Sequence, residues 1–350
     1  MKLSTLLPLP LLGASPRFTH ASALPPHSLV SSEPTPHNAT VSQRLFDELE
    51  ELARIVDIAY CVGTMNSGIT NPFQCLSFCK DFPDFELIQT WNTGLTLSDS
   101  CGYIALDHSP THPRIIIAFR GTYSLTNALI DLSAGQQEYL PYPSDGHSLP
   151  VADKCSGCVV HQGFLESWSQ TEKLISPVIE ELRRTQPGYR VTLVGHSLGG
   201  AVAALAGLDF GAREWKPRVV TFGEPKVGNY ELAEYFNKKF PPSSQSYHRV
   251  THLNDPIPQL PLTAMGYTHH AHELYVTKPQ LPFTADDIRV CVGNEDPECV
   301  AGNVWSLWKS LYGHRDYFHR MGLCLPPASW FRKWDDAETV VGELRRRRRV

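Results

Sequence analysis

The chain has 350 residues, 42% hydrophobic and 19% charged, with 24 Gly, 28 Pro, 9 Cys and a formal net charge of −5. That apolar content is too high for a disordered chain, no Gly-x-y period is present, and no apolar run reaches the roughly 18 residues that a membrane-spanning helix needs. Five of the 31 basic residues are Arg345 to Arg349, leaving 26 against 36 acidic ones, so the body of the chain has no face for tracking phosphates and a nucleic-acid partner is excluded.

Met1-Lys2, the apolar stretch Leu3 to Ala14 and the small-x-small site Ala21-Ser22-Ala23 read as a secretory signal peptide over residues 1–23. Residues 24–40 have no apolar period and read as a linker or pro-segment, with Asn38-Ala39-Thr40 as an N-glycosylation acceptor at Asn38. Nine cysteines suit the oxidising extracellular space that a signal peptide implies.

Thr40-x-x-Gln43 has the form of a capping box, and Val41, Leu45, Leu49, Leu52 and Val56 follow at helical spacing, which predicts an amphipathic helix ending near Tyr60-Cys61. Strand-like runs come next at Phe85–Trp91, Gly102–Asp107 and Arg114–Phe119. The last is apolar on both faces, as a strand buried between helices must be. A helix over Gly163–Arg184 precedes a strand at Val191–Val194, and the small apolar residues Ala201 to Leu208 predict a helix packed closely on a sheet. A strand at Val219–Phe222, a helix at Tyr230–Lys239, strands near His248–Leu253, Glu273–Thr277 and Ile288–Val292, and a helix around Val304–Leu311 complete the series. Strands alternating with helices imply an α/β fold: one domain, with a central mixed, mostly parallel sheet covered by helices on both faces.

Gly195-His196-Ser197-Leu198-Gly199 matches G-x-S-x-G between a predicted strand and a predicted helix. A sharp turn there strains the serine backbone and exposes its hydroxyl above the sheet, and the helix N-terminus behind it offers amides to a developing oxyanion. In this hydrolase-like architecture the partners follow in the order acid, then histidine. Asp255, in Asn254-Asp255-Pro256 after a strand, is the candidate acid; Asp209, Asp286, Asp287 and Asp316 are its rivals. Candidate bases are His269, His270, His272, His314 and His319, and the residues alone do not separate His314 from His319. The His269-His270-x-His272 cluster reads as a solvated loop.

These residues resemble the secreted fungal class 3 lipases, a family that includes triacylglycerol lipases and feruloyl esterases. The likeness is carried in order by Tyr60-Cys61, Phe119-Arg120-Gly121-Thr122, Cys155-Ser156-Gly157-Cys158, His161-x-Gly163-Phe164 with Ser167-Trp168, Gly195 to Gly200, Gly223 to Asn229, Asn254-Asp255 with Pro258 to Pro261, and His314-x-x-Tyr317 before Cys324. It covers residues 41–324, the expected catalytic domain, and leaves 325–350 as an extension with a polybasic end.

The resemblance implies that Ser197, Asp255 and His314 form a catalytic triad, the histidine preceding a tyrosine by three positions, and that Thr122 and the Leu198 amide form the oxyanion hole. It implies a lid over Ser124, Leu125, Ala128, Leu129 and Leu132, whose leucines and alanine also fall at i, i+3, i+4 and i+7. It further implies the disulfides Cys61–Cys324, Cys155–Cys158 and Cys291–Cys299, with Cys75–Cys79 departing from the family's spacing. Cys101 is left over by this count.

The function implied is a secreted serine carboxylester hydrolase, a lipase acting as a monomer on acylglycerols at a lipid–water interface, with no metal and no cofactor. A feruloyl or short-chain esterase and an inactive lipid-binding module are the alternatives. A zinc or redox reading of Cys155-x-x-Cys158 with His161 lacks a second Cys-x-x-Cys.

Overall fold

Alternation within single strands builds the architecture. In β3 (Arg114–Arg120), Ile115, Ile117 and Phe119 join one apolar cluster while Ile116 and Ala118 join another on the opposite face, because successive side chains of a strand point to opposite sides. A strand apolar on both faces must be covered twice, and this one is. The computed structural model describes residues 39–63, 68–94, 100–122, 135–142, 154–303 and 313–326. The expected signal peptide and linker with Asn38, the lid positions from Ser124 to Leu132, the helix near 304–311 and the tail beyond 326 lie outside those residues.

Eight strands form the central sheet: β1 (Phe85–Asn92), β2 (Cys101–Asp107), β3, β6 (Arg190–His196), β7 (Arg218–Phe222), β8 (Tyr247–His252), β9 (Glu273–Val276) and β10 (Ile288–Val290), in that spatial order. From β3 to β9 every pairing is parallel; β1, β2 and β10 join antiparallel at the edges. Outside the sheet, β4 (Gln136–Glu138) pairs with β5 (Val159–His161), and β11 (Asp316–Tyr317) with β12 (His319–Arg320). The fold is an α/β hydrolase.

Helix α1 (Gln43–Ile58) lays Leu49, Leu52, Ala53 and Val56 on one face of the sheet. On the other face lie α2 (Gln162–Thr185) and α3 (Leu198–Ala212), with α4 (Tyr230–Lys239) beside them. Nearly all of α3 is buried, and its small residues let it approach the strands closely: a Cβ on Gly207 would lie 2.9 Å from the Val219 side chain of β7.

The expected capping box does not form. Ser42, not Thr40, caps α1, its hydroxyl accepting the Leu45 N–H at 3.3 Å. Thr40 is held extended because Val41 N–H donates to Ile288 O at 3.2 Å and Val290 N–H to Ala39 O at 2.8 Å, so the helix starts only after the chain leaves β10.

Four disulfides are formed: Cys61–Cys324, Cys75–Cys79, Cys155–Cys158 and Cys291–Cys299. The first closes a separation of 263 residues and ties the end of α1 to the segment just beyond β12. Cys101 keeps its thiol, which donates to Asn92 Oδ1 at 2.9 Å.

Candidate active site

β6 ends at His196, and the chain passes straight into α3 at Ser197 with φ 59° and ψ −131°, a conformation that side chains rarely adopt. The Ser197 N–H is held by Phe222 O at 2.9 Å, so the neighbouring strand β7 supports the strained residue. The start of α3 lies so close to the end of β3 that a Cβ on Gly199 would sit 2.3 Å from Phe119 O. Glycine permits that approach. It brings the first turn of α3, Leu198 included, beside Gly121-Thr122; the Gly200 N–H folds back on Ser197 O at 2.8 Å, and the amide ahead of it, at Leu198, is an N-terminal one that the helix itself does not satisfy.

Asp255 follows β8 and is fully buried. Its Oδ1 accepts the Ile257 N–H at 2.9 Å, its Oδ2 accepts the Tyr317 hydroxyl at 2.5 Å, and both oxygens lie 2.9 Å from His314 Nδ1. Burial pushes the Asp255 pKa up, but the His314 imidazole and the donated hydrogen bonds outweigh it and hold the carboxyl below its ordinary value. A carboxylate only accepts, so Nδ1 of His314 carries the proton and Nε2 is left as a base. Gly223, at φ 59°, leaves room for the pair: a Cβ there would lie 2.7 Å from Asp255 Oδ2 and 3.0 Å from His314 Cε1.

Ser197 Oγ, His314 Nε2 and Thr122 Oγ1 are buried, and none has a hydrogen-bond partner among the described residues. Ser197 Oγ and His314 Nε2 are thus not hydrogen-bonded to each other; catalytic hydrogen bonds commonly tighten only around the substrate. Buried polar atoms are nearly always satisfied. Thr122 follows Gly121, which abuts Ser197, and the His314 ring stacks on that of His196, the residue before the serine, so the three open groups lie on neighbouring segments.

Three of the four rival acids are engaged elsewhere. Asp209 pairs with Arg213 just past the end of α3, Asp287 accepts the Thr284 N–H at 2.7 Å, and Asp316 holds Arg320 at 2.9 Å. His319 lies against Phe78 with ring centroids 4.6 Å apart, and burial pushes its pKa down to about 4. The His269-His270-x-His272 stretch is not a solvated loop. His269 and His270 are buried, and His269, His270 and His272 each place a ring nitrogen on Pro258 O, Glu224 or Phe240 O. Those acceptors outweigh the polarity that suggested exposure. The sulfurs of Cys155 and Cys158 are joined, so they offer no thiolates to a metal.

Two side chains to which the sequence reading gave no role stand in the site: Tyr317 on Asp255, and His196, whose ring stacks on that of His314 at 4.7 Å between centroids. A signal existed for His196. It is the last residue of a strand that is buried from Val191 onward, sharing the face of Thr192 and Val194, where a polar group needs a partner.

Residues 116–265 match the model of the class 3 lipase family. The chain is 43% identical to the secreted mono- and diacylglycerol lipase 2 of Gibberella zeae, over 87% of its own length and 88% of that protein's. The family is decided by that breadth. The chain belongs to the fungal class 3 lipase family. It is also 42% identical to lipase A of Sodiomyces alcalophilus, over 87% of its length and 89% of that protein's. The structure of the Lip2 lipase from Yarrowia lipolytica superposes with a TM-score of 0.73 at 30% identity, covering 81% of this chain and 97% of that one. Membership places this class 3 lipase among the carboxylic ester hydrolases. Among the described residues, no helix of the lipase is long and apolar enough to cross a membrane.

Proposed function

We propose that the chain is a secreted lipase that cleaves acylglycerol esters through an acyl-enzyme on Ser197, with His314 as general base and acid and Asp255 holding His314. The observation that carries this reading is His314 Nδ1 on the buried Asp255 carboxylate, with Nε2 open and the ring stacked on His196, the residue before a serine at positive φ. His314 Nε2 takes the Ser197 proton as Oγ bonds to the ester carbon. The carbonyl oxygen becomes an oxyanion, which the Leu198 amide and Thr122 stabilise. The tetrahedral species collapses, breaking the bond to the alcohol, and the alcohol leaves with the proton from His314. Water then repeats the sequence on the acyl group, giving the fatty acid and restoring Ser197. Loss of one oxyanion donor costs about 2.7–4 kcal/mol in the transition state.

The signal peptide over residues 1–23 directs export, Asn38 carries a glycan, and the segment from Ser124 to Leu132 acts as the lid. The names of the relatives support mono- and diacylglycerols as substrates. The apolar positions Leu125, Leu129 and Leu132 support a lipid–water interface over a soluble phenolic ester.

The test is to assay the purified protein on emulsified mono-, di- and trioleoylglycerol, on a soluble short-chain ester and on methyl ferulate, beside Ser197→Ala. Hydrolysis of the acylglycerols, lost by about 10⁴-fold or more in Ser197→Ala, is expected. Ferulate turnover without acylglycerol hydrolysis makes the chain a feruloyl esterase, and inactivity on every ester makes it a binding module.

A further inference from the structure

His196, between Gly195 and the serine, is 2% exposed and makes contacts on three sides. Its Nε2 lies 2.8 Å from the main-chain oxygen of His314. A carbonyl only accepts, so Nε2 carries the proton and Nδ1 is left as an acceptor. Nδ1 faces the Tyr60 hydroxyl at 2.5 Å, which therefore donates, and the Tyr60 oxygen in turn accepts the Gly121 N–H at 3.2 Å. The third side is the ring face, inclined at 30° to the imidazole of His314.

We propose that His196 is a positioning residue for the base: it anchors His314 by its own main-chain carbonyl, packs the imidazole from below, and through Tyr60 couples that anchor to the Gly121-Thr122 loop carrying an oxyanion donor. The inference rests on the reading of His314 as the base and adds to it what fixes the base in place. One relay, from the Gly121 amide through Tyr60 and His196 to His314 O, then spans both halves of the site. Each partner has one role open to it, so the relay runs in one direction and fixes the tautomer of His196.

The relay needs a neutral ring under an imidazole that becomes positive in the reaction. Burial drives the His196 pKa down to about 3, and the charge of His314 adds to that effect. The charged groups acting on His196 are His314, Asp255 and Arg315; Tyr317 touches it edge-on, with ring centroids 5.9 Å apart. A base left free to shift by about 1 Å costs roughly 10²-fold in rate.

Glutamine and asparagine divide the two bonds between them. The amide nitrogen of His196→Gln stands where Nε2 stands and can still reach His314 O. The amide oxygen of His196→Asn stands where Nδ1 stands and keeps only Tyr60. Both variants, with Tyr60→Phe and Ser197→Ala, are assayed on a soluble short-chain p-nitrophenyl ester, so that no interface intervenes. Competent sites are counted with an alkyl phosphonate, and melting temperatures are recorded.

The expected result is a fall in kcat per competent site of about 10²-fold for His196→Asn with KM unchanged within about twofold, recovery of about tenfold in His196→Gln, and a loss of about tenfold in Tyr60→Phe. Equal kcat for the asparagine and glutamine variants, or losses seen only in the count of competent sites, overturns the positioning role. Full activity in Ser197→Ala, or phosphonate carried elsewhere, overturns the nucleophile instead. A dead Ser197→Ala beside a fully active His196→Asn removes this inference alone.

Discussion

Two buried carboxylates in this lipase each hold a histidine and a tyrosine, and only one pair stands in the candidate site. Asp255 takes donors from His314, Tyr317 and the Ile257 amide. Glu224, at the start of the loop after β7, takes them from His270, Tyr247 and Thr221 at 3.1, 2.7 and 2.6 Å. Burial raises both acids and their partners lower them further, so both carboxyls lie below their ordinary values. The histidines differ. His270 spends its second nitrogen on Ala271 O at 2.8 Å and is clamped between the rings of Phe236 and Tyr247, with centroids 4.6 and 4.7 Å away. His314 leaves its second nitrogen open. A saturated pair can only hold the fold together, whereas a pair with one open valence can move a proton.

The largest effect that would break this comparison comes from removing each histidine. In His314→Ala, turnover of a soluble ester per folded molecule falls about 10³-fold or more. In His270→Ala, turnover per folded molecule stays within about threefold, but a buried charge loses a partner, which costs about 3–5 kcal/mol and lowers the urea midpoint. A folded His270→Ala as inactive as His314→Ala would show the comparison to be wrong.

The two tyrosines sharpen it. Tyr317→Phe removes one donor from Asp255, lets its pKa rise and slackens the grip on His314; a drop in kcat of about tenfold is expected, with about 1.5–3 kcal/mol lost in chemical denaturation. Tyr247→Phe should show a similar loss of stability with kcat unaltered.

Acid tests the whole buried network. His196 and His248 are pushed down to about 3, and His272 and His319 to about 4, in each case chiefly by burial. Each is neutral in the folded chain but takes a proton near its ordinary value of 6.5 once unfolded. The unfolded state therefore binds more protons below that value, and stability falls as pH drops from 6.5 toward 4. The depressed Glu224 and Asp255 act in the same direction below their ordinary 4.5 and 3.8. Melting temperatures measured between pH 7 and 4 should decline steadily, and a flat profile would contradict the burial of these groups.

The smallest effect concerns a third buried acid, which has no histidine. Asp57 accepts the Ser77 hydroxyl and the Gly322 amide, each at 2.6 Å, and burial outweighs these two donors and pushes its pKa up to about 6. Its folded value lies above its ordinary 3.8, so the folded chain binds the extra proton and its contribution weakens as pH rises from 4 to 6. Asp57→Asn can keep both hydrogen bonds. It should lie within about 1 kcal/mol of the parent at pH 7 and lose the pH-dependent part of the difference, read from paired melting curves.

Much of this arrangement could be read from the sequence. Tyr230–Lys239 forms a helix with the bounds its pattern predicts, and β3, β6 and β7 start and stop within two residues of their apolar runs. These are local effects, because side-chain period and turn residues act over a few positions. Ser197 was legible for the same reason. The choice between His314 and His319 was not, since five residues separate them and both lie in one short segment. The fold turns one toward Asp255 and the other toward Phe78. Nor was the burial of His269 and His270, whose polarity suggested solvent while their acceptors come from Pro258 and Glu224.

By itself, the order of residues determined the layered sheet, the strained serine at its turn and the two other residue types that such a serine requires, because each follows from periodicity or from steric rules acting between neighbours. Only the tertiary structure decided which acid meets which histidine, that Tyr60 and Gly121 join His196 in one relay, and where a buried valence stays open. Those outcomes depend on distances between segments up to 136 residues apart, as between Tyr60 and His196. They are set by how the helices and loops close over the sheet.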